Sequence, residues 1–82
     1  MTVVDKKLIA LQFGETVRRL RTEQKLSMQE LANKAEIEKT QVFRIEHGRF
    51  DIKLSTLYTL AEALDIDVTE LIKPRDYTGH HL

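Results

Sequence analysis

Eighty-two residues, about two-fifths of them apolar, supply one small core and leave no room for a large enclosed active site. Thirteen basic side chains balance thirteen acidic ones, which argues against indiscriminate polyanion binding, and the absence of cysteine excludes a disulfide framework or thiolate metal site and favours a reducing compartment. No apolar run approaches the roughly 20 residues that span a bilayer, and "MTVVDKKLIALQF" has neither the order nor the cleavage site of a signal peptide, so a cytoplasmic protein with no membrane partner is expected.

Strand-like alternation is absent and apolar stripes of 3.6-residue period run throughout, which predicts an all-α fold in one domain, residues 1–82. A first helix is expected over residues 5–24, with Ile9, Phe13, Val17 and Leu20 on its inner face. A second helix begins at a capping box, Ser27 with Glu30, inside a hydrophobic staple of Leu26 and Leu31; Leu31 and Ala35 face inward. A third follows Glu38, a poor cap, with Gln41 three residues on and Ile37 and Val42 as its staple. Val42 and Ile45 turn inward, and Gly48, just past Glu46 and His47, ends the helix in a left-handed conformation. Leu57, Leu60, Ala61 and Leu64 mark a fourth helix, with Lys53 at its cap position. Asp67 and Glu70 repeat the box arrangement before a last turn bearing Val68, Leu71 and Ile72.

Only a few residues around Glu36 and Ile37 separate the second and third helices, both short, which is helix-turn-helix spacing; Ala32 supplies the small side chain a steep crossing needs. Such corners also occur in purely structural domains. Charge is distributed unevenly: residues 1–25 carry six basic and three acidic side chains, residues 26–53 five and five, residues 54–82 two and five, or +3, 0 and −3. One side can face an anion while the total stays neutral, although a solvated charged surface has the same composition.

The resemblance goes beyond spacing. "FGETVRRLRTEQKLSMQELANKAEIEKTQVFRIEHGRF" and "LSTLYTLAEALDIDVTELI", together residues 13–72, resemble the lambda-repressor-like, Cro-type helix-turn-helix family. The pieces that carry it are Arg21 near the end of the first helix, "LSMQELA", "RIEHG", "LAEALDI" and "VTELI". The resemblance implies a compact five-helix domain that binds double-stranded DNA, with the third helix in the major groove and the second crossing the backbone above it. A helix fits that groove, whose base edges carry distinct donor and acceptor patterns, and helix N-termini offer amides to phosphates.

With Val42 and Ile45 inward, Lys39, Thr40, Phe43, Arg44 and His47 form the outward face of the third helix. The base-reading candidates are Met28, Lys39, Thr40, Phe43 and Arg44, with Arg44 suited to a bidentate guanine contact and Phe43 to a thymine methyl. The phosphate candidates are Ser27, Gln29, Gln41, His47, Arg49 and Lys53. Arg21 and Glu46 fall where the family pairs an arginine with a glutamate across the first and third helices, a structural ion pair.

Four positions depart from the family's pattern. Met28 puts a thioether where a glutamine amide is usual, Glu36 stands where the turn often uses glycine, Glu38 replaces a small hydroxyl cap, and Lys53 occupies a cap position. With zero net charge, these leave open a second use of the fold, a protein–protein interaction module centred on exposed Met28 and Phe43. Enzyme chemistry finds no support: no nucleophile, base and orienting group share a spacing, there is no glycine-rich phosphate loop, and His80 and His81 read as a solvated end rather than a metal site. No cofactor is expected, nor a small-molecule effector domain. One domain reads few base pairs, so a homodimer on a pseudo-palindromic operator is expected. Its surface is sought at the fourth and fifth helices with the tail that holds Tyr77, or at Leu8 and Leu11.

Overall fold

In the computed structural model, which describes residues 4–49 and 51–73, the apolar stripes resolve into five helices: α1 Lys6–Glu23, α2 Met28–Ala35, α3 Lys39–Glu46, α4 Leu54–Ala63 and α5 Val68–Leu71. Tyr77, His80 and His81 lie outside the described residues. The first helix starts at Asp5, whose carboxylate accepts from the amides of Lys7 and Leu8 at 2.9 and 3.2 Å. At α2 the box is complete: the Glu30 amide donates to Ser27 Oγ at 3.0 Å, and the Ser27 amide donates back to Glu30 Oε1 at 2.8 Å. At α3 the Glu38 amide donates to Gln41 Oε1 at 3.0 Å. Asp67 departs from the expected box. Its carboxylate accepts from the amide and hydroxyl of Thr69, one residue earlier than Glu70.

Three of the corners share one design. Lys25, Glu36 and Asp65 are left-handed, with φ of 59°, 58° and 56°. Each is followed by an apolar residue and then by the cap of the next helix: Lys25-Leu26-Ser27, Glu36-Ile37-Glu38 and Asp65-Ile66-Asp67. The amides of Leu26, Ile37 and Ile66 each donate 3.0 Å back to the carbonyl five residues earlier, which closes the outgoing helix. The same three side chains pack against the core, so a single residue ends one helix and staples the next. α3 ends in the same way at Gly48, with φ 68° and Arg49 donating to the Arg44 carbonyl at 2.8 Å.

The core consists of Val17, Leu31, Ala32, Ala35, Val42, Ile45, Leu60, Ala61, Ala63, Leu64 and Leu71, with Phe13, Leu20, Leu57 and Val68 packed partly buried around it. Ile72, expected on the inner face of the last turn, is instead exposed, because α5 stops at Leu71 and its final residue carries the only buried side chain of the helix. α1 packs on α3 and α5, α2 on α3 and α4, and α4 on α5. Gly14 makes the first of these contacts possible: a Cβ there would overlap the Ile45 carbonyl oxygen and press on that of Glu46 at 2.9 Å. Gln24 adds a polar tie, its side-chain amide donating to the Leu64 carbonyl at 2.6 Å. Among the described residues no helix is long and apolar enough to cross a membrane.

Candidate nucleic-acid interface

Because α3 buries Val42, Ile45 and Glu46, its remaining surface is fixed by the 100° step of the helix: Lys39, Thr40, Phe43, Arg44 and His47 are all exposed. Lys39, Thr40 and Arg44 make no side-chain hydrogen bond or ion pair among the described residues, so their polar groups are uncommitted. Phe43 is 44% exposed and does not stand alone. Its ring stacks on His47 with centroids 4.0 Å apart and planes 25° from parallel, and His47 Nδ1 lies 2.8 Å from the Phe43 carbonyl oxygen. A carbonyl only accepts, so Nδ1 carries the proton, and in the neutral ring Nε2 is left as an acceptor.

The start of α2 presents Ser27 and Gln29, both exposed. Ser27 Oγ accepts from Glu30, which leaves its own hydroxyl proton to donate, while the side-chain nitrogen of Gln29 donates to Asn33 Oδ1 at 2.9 Å along the helix. Met28 is not the exposed residue expected: it is half-buried and packs against the core, because the first turn of α2 lies over that core. Gln41 is also half-buried, its side-chain oxygen committed to the Glu38 amide and its nitrogen left over. Arg49 and Lys53 are exposed on either side of the segment that leads from α3 to α4.

Behind this surface a buried ion pair holds α3 against α1. Arg21 Nε donates to Glu46 Oε2 at 2.6 Å and its Nη2 to Oε1 at 3.0 Å, with side chains 11% and 0% exposed. Nη1 donates to the Leu26 carbonyl at 2.8 Å, so one guanidinium joins α1, α3 and the corner that leads into α2. Hydrogen bonding to Glu46 holds the guanidinium above its ordinary, already high, range. At the α2 cap, bonds from Ser27 hold the exposed Glu30 carboxyl below its usual range. The residues missed in the sequence are Gly14, whose only signal was a glycine inside a helical stripe, and Lys25 and Asp65, left-handed positions with no glycine to announce them.

A family profile described as a helix-turn-helix domain matches residues 14–75. An uncharacterised helix-turn-helix transcriptional regulator of Sinorhizobium fredii is 34% identical over 65 residues, 79% of this chain and 84% of its own length. An immunity repressor protein of Bacillus phage phi105 is 36% identical over 59 residues, 72% of this chain; the match spans only 41% of that repressor. Among solved structures, the restriction-modification controller protein C.AhdI of Aeromonas hydrophila superimposes with a TM-score of 0.75 at 35% identity, over 76% of this chain and 94% of its own.

Proposed function

Since the chain belongs to the helix-turn-helix family and is a DNA-binding transcriptional regulator, we propose that it reads a specific operator with α3 in the major groove, as a homodimer on a pseudo-palindromic site. The observation that carries the reading is the outward face of α3, where exposed Lys39, Thr40, Phe43 and Arg44 surround no acidic side chain of their own helix while its one glutamate, Glu46, is buried against Arg21. Arg44 is the guanine reader and Phe43 the thymine-methyl contact, with Lys39 and Thr40 in the first turn reaching neighbouring bases. Met28, half-buried, contributes at most an apolar edge to that surface.

Ser27, Gln29 and the free amides of the first turn of α2 hold one phosphate strand, with Gln41 at the start of α3 and Arg49 and Lys53 beyond its end. His47, its Nδ1 held by the Phe43 carbonyl, presents the other edge of its ring at the end of α3 as a further phosphate candidate. On this reading the regulator acts in the cytoplasm by binding DNA rather than by catalysis. A protein-interaction reading keeps exposed Phe43 in its favour and loses Met28.

Binding-site selection from random DNA at two salt concentrations tests the proposal. The expected product is an enriched pair of half-sites about one helical turn apart, bound with an affinity that falls steeply with salt, by a logarithmic slope of about −0.9 per phosphate contact. The absence of any enriched sequence would sink the operator reading; salt-independent association with a protein would favour the alternative.

A further inference from the structure

Asp5, Ser27 and Asp67 each begin a helix, and each turns a side-chain oxygen back onto an amide of its first turn. Glu38, which begins α3, makes no side-chain cap bond. Gln41 holds its backbone instead: Gln41 Oε1 accepts from the Glu38 amide, and the amides of Gln41 and Val42 donate to the Glu38 carbonyl at 3.0 and 3.2 Å. The residue is exposed, and its carboxylate makes no hydrogen bond or ion pair among the described residues. It is thus held at the backbone and uncommitted at its tip, at the end of α3 that meets base edges when such a helix lies in the major groove.

We propose that Glu38 is a specificity-determining residue of the operator contact, its carboxylate accepting a hydrogen bond from the exocyclic amine of a cytosine. The inference rests on the DNA reading above, with α3 in the major groove. An ionised carboxylate can only accept. In that groove guanine shows two acceptors, thymine an acceptor and a methyl group, and adenine an acceptor beside its amine, whereas cytosine shows a donor alone. A carboxylate is matched to cytosine and set against the other three bases. The rest of the reading face has no such group, because Lys39 and Arg44 only donate and Phe43 offers an apolar ring. Glu38 therefore lets α3 read a C·G pair from the cytosine side as Arg44 reads one from the guanine side.

The same charge opposes misplaced binding. On DNA without that cytosine the carboxylate lies among base acceptors and phosphates with no donor to meet it, which lowers non-specific affinity and widens the gap between operator and random sequence.

The test is binding-site selection followed by single-base variants of the selected half-site, for wild type, Glu38→Gln, Glu38→Ser and Glu36→Gln. Wild type should select a cytosine at one position of each half-site and lose about tenfold in affinity when it is replaced. Glu38→Gln and Glu38→Ser should lose that preference at that position alone and bind random DNA more tightly than wild type; with Gln, adenine should rise in place of cytosine, since an amide pairs with both its amine and its N7. Glu38→Ser, which supplies a hydroxyl cap, should melt no lower than wild type, so the lost preference is not a loss of fold. Glu36→Gln removes the same charge two residues earlier, in the turn, and should leave every base preference unchanged. Glu38 variants that select the same bases in the same ratios as wild type overturn the proposal and leave the operator reading standing. So does a Glu36→Gln variant that abolishes the cytosine preference equally, since the effect is then one of charge and not of contact. A wild type that enriches no sequence removes the operator reading and this proposal with it.

Discussion

Glu46 shares the buried side of α3 with Val42 and Ile45, and the same residue type on the outer face would repel phosphate. Its burial turns that charge into a strut between α3 and α1. Cutting one partner of a buried pair strands the other, at a cost of about 3–5 kcal/mol. Glu46→Ala should therefore lower both the melting temperature and operator affinity; loss of affinity at unchanged stability would mean that Glu46 acts on DNA directly. Phe43 works at the same scale with the opposite exposure. Phe43→Ala should weaken binding mainly at operators with the preferred thymine, by about 1–3 kcal/mol, measured across a set of single-base variants. Because Phe43 also supports the His47 ring, His47→Ala is the control: it should weaken all sequences about equally, as a phosphate contact does.

At the scale of the element, the caps decide how well each short helix holds. Lys53 begins α4 with no side-chain cap bond. Lys53→Ser should raise stability by about 1 kcal/mol in thermal unfolding, while the loss of a cation weakens operator binding and reduces the salt slope by about 1. An increase in both stability and affinity would remove Lys53 from the phosphate contacts. Glu30 ties α2 to pH. Its carboxyl is held below the usual range by the Ser27 bonds, so the folded state binds a proton less readily than the unfolded chain; the contribution is present above the ordinary carboxylate range and is lost as pH falls through the lowered value. Melting curves of wild type and Glu30→Gln should converge in acid and separate towards neutrality. Equal separation at all pH would show that the carboxylate charge plays no part.

For the molecule as a whole, the angle and depth at which α1 meets α3 set where the reading face points. Gly14 lets the two backbones approach, with the Ile45 and Glu46 carbonyls where a side chain would sit. Alanine normally favours a helix interior over glycine by about 1 kcal/mol. Here Gly14→Ala should destabilise by about 1–3 kcal/mol, read as a lower melting temperature, because overpacking outweighs propensity. A stabilised variant would mean that α1 shifts at little cost.

What the amino-acid order determined by itself is local: the 3.6-period stripes, the Ser27 cap with Glu30, the end of α3 at Gly48, and hence which side of α3 faces outward. These follow from interactions within one or two turns, and their residue types announce them. The left-handed Lys25 and Asp65 escaped because side chains of that kind do not mark the conformation; the burial of Leu26 and Ile66 beyond them, a gain from the tertiary core, holds the strained residue in place. Met28 and Ile72 exchanged their expected surroundings for a similar reason. Whether an apolar residue at the end of a short helix is covered depends on which neighbour lies over it, and only the packed assembly of α1 to α5 decides that. An apolar groove between the starts of α1 and α4 belongs to the same class: Ile9, Ile52 and Ile72, which line it, are far apart in the chain, and no local pattern places them around one hollow.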